Sequence, residues 1–76
     1  MCLAIPAIIL TLNDDRTAIV DILGITRTVA IDLVSNAQVG DFVLVHAGFA
    51  IEIISQEAAL ETLEFFKEFP ELAEGF

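Results

Sequence analysis

The sequence predicts a mainly β fold: a small antiparallel β-barrel followed by a C-terminal helix. Three observations predict it. Short apolar stretches rich in β-branched residues recur up to Ile54, separated by turn-forming clusters. One of these stretches alternates with period two, as a half-buried strand does. From Ser55 onward the apolar spacing changes to that of a helix. Closure into a barrel suits so apolar a chain, because open strand edges invite aggregation.

Each element follows from its residues. Leu3 to Leu12 is apolar and β-branched, and Pro6 marks an edge or a bend. Asn13-Asp14-Asp15-Arg16 is a polar turn. Thr17 to Leu23 forms the second strand, which Gly24 breaks. Thr26 to Val34 forms the third, with Arg27, Val29, Ile31 and Leu33 on one face and Thr26, Thr28, Ala30 and Asp32 on the other. Ser35 to Gln38 is a loop and Val39-Gly40-Asp41 a tight turn. Phe42 to His46 and Phe49 to Ile54 are two further strands around Ala47-Gly48.

Ser55 is placed as the helix N-cap, with Glu57 in the first turn, where the helix dipole favours it. Ala59, Leu63 and Phe66 fall at i, i+4, i+7, and Thr62, Phe65 and Phe69 extend that stripe. Glu57, Glu61, Glu64 and Glu68 take the opposite side, and Pro70 stops the helix. Such a helix is either a lid on the barrel or a surface for a partner. Glu71 and Glu74 beyond it read as solvated carboxylates. The whole chain, 1–76, reads as one domain: barrel 1–54, helix about 55–69.

Composition narrows the function. A 76-residue chain has a marginal core unless something staples it. One cysteine cannot form an internal disulfide, so stability rests on packing or on a partner. The mean hydropathy of +0.81 is high, yet the longest apolar run, Met1 to Leu10, contains Pro6 and is half the length of a spanning helix. No positive segment precedes it, as a secretory signal requires. A cytoplasmic protein with a reduced thiol is the expectation, with no membrane association. The net charge of −9, with Arg16, Arg27 and Lys67 the only basic residues, excludes a nucleic-acid footprint.

Two residues can carry chemistry. Cys2 is the single cysteine, and removal of Met1 would make it the mature N-terminus. An adjacent ammonium favours thiolate, and amine plus sulfur can chelate one soft metal ion. The bland reading is an ordinary second residue. His46, the single histidine, shares parity with Phe42 and Leu44. It reads either as a structural histidine bonded to a backbone carbonyl or as a metal ligand or proton acceptor. One Cys and one His cannot complete a tetrahedral metal site, so any metal here is shared with another molecule or transiently held. A Cys–His nucleophilic enzyme would need an oxyanion hole and an orienting group that so small a barrel hardly accommodates. Pro6, Gly40, Asp41 and Gly48 read as backbone devices that fix where Cys2 and His46 point.

Met1-Cys2-Leu3-Ala4-Ile5-Pro6, followed by Val39-Gly40-Asp41-Phe42-Val43-Leu44-Val45-His46-Ala47-Gly48-Phe49-Ala50, resembles the HypC/HupF family of [NiFe]-hydrogenase maturation chaperones. The resemblance covers nearly the whole chain. It implies an OB-like barrel with a C-terminal helix, and a chaperone rather than an enzyme. It implies a scaffold partner, HypD, on which iron as Fe(CN)2CO is assembled and transiently shared, with cyanide arriving by way of HypE and HypF. It also implies delivery of that iron to the hydrogenase large-subunit precursor. Carried over by position, Cys2 and His46 are the expected metal contacts. Cys2, Leu3, Ile5 and Pro6 form the expected partner-binding motif. The competing reading is an interaction barrel that holds no metal and in which Cys2 is incidental.

Overall fold

The structure, a computed structural model, describes residues 4–69. Five strands form a closed barrel in the order β1-β2-β3-β5-β4. β1 (Ile5–Leu12) runs antiparallel to β2 (Thr17–Ile22) on one side and to β4 (Phe42–His46) on the other. β3 (Ile25–Ala30) pairs antiparallel with β2, and β5 (Phe49–Ile54) antiparallel with β4. The fifth junction, β3 to β5, is parallel and consists of one pair, Ala30 with Phe49. An all-antiparallel ring is impossible with an odd number of strands, since directions cannot alternate around it. The barrel confines its one parallel junction to a single pair, bonded from the Ala30 N–H to the Gly48 carbonyl at 2.9 Å.

β1 serves two neighbours by bending. Its first half pairs with β4 and its second half with β2, and a register shift between Ile9 and Thr11 marks the bulge where it turns. Next to the bulge, the Gly40 N–H donates to the Ile9 carbonyl and the Ile9 N–H to the Asp41 carbonyl, both at 2.9 Å. The Asp41 carboxylate accepts from the Gln38 N–H at 2.9 Å, which holds the turn in shape.

Two turns of the same kind join the hairpins. Leu23-Gly24 (φ 52° and 89°) lies between the paired Ile22 and Ile25; Ala47-Gly48 (φ 51° and 85°) lies between the paired His46 and Phe49. Positive φ at both central residues is the type I′ geometry that matches the strand twist. Glycine takes the second position without cost. Leu23 and Ala47 each bear about 1 kcal/mol of left-handed strain, offset at Leu23 by packing against the core.

The interior follows the two-residue alternation. Ile5, Ala7 and Ile9 of β1, Ala18, Val20 and Ile22 of β2, Val29 of β3, Val43 and Val45 of β4 and Ala50 of β5 are almost fully buried. Among the described residues no polar or charged side chain is buried with them. Each fully buried valine or isoleucine contributes roughly 1.5–3 kcal/mol of transfer free energy.

The third strand is shorter than the sequence suggests. It ends at Ala30, and Asp32–Val34 forms a 3₁₀ turn. The Val34 N–H donates to the Ile31 carbonyl and the Ala37 N–H to the Val34 carbonyl, at 3.0 and 2.9 Å. Ile31, Val34 and Ala37 are buried at a spacing of three, whereas Leu33 is 67% exposed. The chain must leave the sheet once Ala30 has met Gly48, and a tight helical path keeps its apolar residues inward. The second strand also stops one residue early, at Ile22, because Leu23 enters the turn. The first starts at Ile5; Leu3 lies outside the described residues.

Helix α1 spans Gln56–Glu68 and lies against β1 and β4. The Ser55 hydroxyl accepts from the Ala58 N–H at 3.2 Å, as an N-cap does. Ala59 and Phe66 are buried and Leu63 packs against the core. Phe65 and Phe69, expected on the same stripe, are 50% and 42% exposed and stack on each other with centroids 5.0 Å apart. They sit one position away from the Ala59–Phe66 line, so only its centre reaches the barrel. The expected stop at Pro70 lies outside the described residues. Phe69 has already left helical geometry (φ −128°, ψ 66°), in line with the bias against the α region in a residue that precedes proline. Among the described residues no helix is long and apolar enough to cross a membrane.

Candidate functional site

The sheet register brings several segments to one end of the barrel. Ile5 pairs with Val45, so the next step of the ladder sets Ala4 level with His46. The Ala47-Gly48 turn follows His46 directly, and the Gly48 carbonyl bonds Ala30 of β3. The Leu23-Gly24 turn belongs to the same end, because Asp21 of β2 is already level with Ile8 of β1. Thus the start of the first strand, the histidine of the second motif and the turn that follows it lie together there.

His46 closes β4 on its outer face. Val43 and Val45 are buried, while Phe42, Leu44 and His46 are partly exposed. The parity read from the sequence is therefore the observed one. Among the described residues the imidazole has no hydrogen-bond partner. The backbone carbonyl contact of the structural reading is absent from that set, and the ring remains able to accept or donate.

Cys2 and Leu3 lie outside the described residues. Ile5 and Pro6 are within them and both are buried, each less than 2% exposed. Adjacent strand residues point to opposite faces. Ile5 enters the barrel with Ala7 and Ile9, and Pro6 is covered on the outer face of a strand against which α1 lies. Burial on both faces anchors the start of β1. The side chains of Ile5 and Pro6 themselves present almost no surface.

Among the described residues no group of three or more His, Cys, Asp or Glu side chains is disposed to hold a metal ion. A donor at His46 is therefore at most part of a coordination sphere completed elsewhere. A cleft lies beside the barrel seam, lined by neither His46 nor the turn after it. It encloses about 520 Å3 between the Asn13–Arg16 turn and Ile31–Ala37, and an exposed Arg16–Asp32 ion pair of 3.9 Å borders it. An exposed pair of this length adds little stability.

Sequence reasoning missed the staircase of turns through Ile31, Val34 and Ala37 that carries the chain from β3 to β4. Its signal was the spacing of three, overridden by an accidental alternation from Arg27 to Leu33.

Comparison with known proteins bears on the same residues. A family model described as the HupF/HypC family matches residues 1–66, a span that contains both motifs and His46. A protein of Cupriavidus necator named hydrogenase maturation factor HypC is 46% identical over 68 residues, covering 90% of this chain and 76% of its own. Proteins of the same name are 38% identical over 69 residues in Helicobacter hepaticus (90% of this chain, 80% of that one) and 39% identical over 75 residues in Azotobacter chroococcum (99% and 89%).

Proposed function

The chain belongs to the HupF/HypC family, and from that premise we propose that it is a cytoplasmic [NiFe]-hydrogenase maturation chaperone. In this reading it is a carrier and not a catalyst. With the scaffold protein HypD it holds iron as Fe(CN)2CO, and it delivers that unit to the hydrogenase large-subunit precursor. HypE is reached through the HypD complex. The observation that carries the proposal is the family match over residues 1–66, in which the Cys2 and His46 motifs both fall.

The chemistry supports the assignment of roles. Iron carrying cyanide and carbon monoxide is soft and low-spin, and a thiolate such as that of Cys2 suits it. His46 stands on the outer face at the end of the barrel to which the N-terminal strand leads, with its imidazole uncommitted among the described residues. Two protein donors leave the coordination sphere incomplete, so the cargo is shared with HypD, and release breaks few bonds. Cys2 and Leu3 make the partner contact, and Ile5 and Pro6, both buried, anchor the strand that follows them.

The test is an infrared spectrum of the complex, isolated anaerobically through a C-terminal tag, for wild type and Cys2→Ala. Bands in the CN and CO stretching region that vanish in the variant support the proposal. Normal co-purification of partners with no such bands in either sample overturns it in favour of a docking barrel that holds no iron.

A further inference from the structure

The closure of the barrel leaves one strand edge open. β3 meets β5 only at Ala30, and β5 continues past that point away from Ile25–Val29. On its other side β3 is fully paired with β2. Ile22 and Ile25 flank a two-residue turn and are therefore a hydrogen-bonded pair, and such pairs alternate along an antiparallel ladder. Arg27 and Val29 accordingly bond to β2, while the backbone groups of Thr26, Thr28 and Ala30 point the other way. The Ala30 N–H confirms this polarity, since it donates to Gly48. Among the described residues no hydrogen bond reaches the outward N–H and C=O groups of Thr26 and Thr28.

Of the usual edge protection this segment carries one element, the charge of Arg27 on the parity of Val29. It has no proline, no bulge and no covering element among the described residues. Apart from Arg27 its residues are β-branched, with Thr26 and Thr28 exposed and Ile25 47% exposed. We propose that the Ile25–Val29 edge is a docking site for an extended, positively charged segment of a partner protein, which adds to β3 as a sixth strand.

The backbone chemistry selects a strand, because only an extended chain matches outward donors and acceptors at two-residue intervals. Charge selects its sign. The chain has 12 acidic against 3 basic residues, and Asp21 stands directly across from Thr26; the partner's cationic side chains belong on that face, and its apolar ones on the face of Arg27. Charge also disfavours a second copy of this chain, since each carries −9 and a two-fold pairing centred on Arg27 would set two guanidiniums opposite each other. The site adjoins the end of the barrel that holds His46 and Gly48, yet it rests on no part of the iron-carrier reading.

The test uses the full-length, 15N-labelled protein and a capped six-residue peptide of alternating valine and lysine. Fast exchange of the Thr26 and Thr28 amides is expected in the free monomer, slowed about tenfold or more by the peptide. Thr28→Pro removes one outward N–H at an edge position where proline is tolerated, and it is expected to weaken binding about tenfold, with Thr28→Val binding as wild type. The same peptide N-methylated on its edge-facing amides is expected not to bind, and this control leaves the protein unchanged. Four results overturn the proposal: absence of peptide binding; equal binding of the methylated peptide or of a valine–glutamate one; Thr26 and Thr28 amides already protected in the isolated monomer; or protection that grows with protein concentration, which assigns the edge to a second copy.

Discussion

The Ala30 N–H and the Gly48 carbonyl meet at 2.9 Å, and among the described residues this bond joins β3 to β5 where the ring of strands closes. Gly48 reaches that position at φ +85°, and a Cβ there would meet open space. Gly48→Ala is therefore expected to cost about 1–2 kcal/mol from backbone strain alone, without a clash. Urea unfolding measures the cost, and the Ala30 amide should exchange faster than other core amides in the variant. A change of stability near zero would show that the turn adopts another geometry.

The helix packs through one side, and a pair of neighbouring phenylalanines separates the two sides. Phe66→Ala empties a buried site and is expected to cost about 3–5 kcal/mol, enough to unfold much of so small a domain. Phe65→Ala removes a half-exposed ring and should cost about 1 kcal/mol or less. Equal costs in chemical denaturation would reject the observed helix rotation.

Ser55 caps the same helix through the Ala58 N–H. Ser55→Ala is expected to destabilise the protein by about 1 kcal/mol, while Ser55→Asp retains the cap. Thermal unfolding followed by far-UV circular dichroism distinguishes the two.

His46 makes no side-chain hydrogen bond among the described residues. His46→Ala should therefore change stability by no more than about 0.5 kcal/mol. If its imidazole contacts the iron unit, the same variant lowers iron retention and hydrogenase maturation in a folded protein. Unchanged maturation would remove His46 from the proposed site and leave it a surface histidine.

Much of the architecture was legible because it is local. The Ala47-Gly48 turn, the period-two strands and the Ser55 cap are each specified within a few residues. The outward parity of His46 followed from Phe42 and Leu44 in the same way. What escaped depends on distant contacts. The end of β3 at Ala30 is set by Gly48, far along the chain, so the alternation through Ile31 and Leu33 could not reveal it. The half-exposed Phe65 and Phe69 escaped for a related reason: a helix with aromatics on adjacent positions does not declare which of them meets the barrel. For the site, the burial of both Ile5 and Pro6 was hidden, because strand alternation implies one inward and one outward residue and α1 covers a face that the sequence leaves open.

The two identical tight turns carry a consequence for the order of folding. Each hairpin, β2–β3 and β4–β5, is stitched by contacts near in sequence and can form within microseconds of collapse. β1 joins them through its pairing with β2 and β4, and completing the ring requires closing the segment from Ala30 to Gly48, whose entropy cost is incurred before the single parallel pair repays it. Two ready-made ribbons and one late clasp are the expected sequence of events. The clasp, holding by so little, is then the part of the barrel that opens first when the folded protein fluctuates.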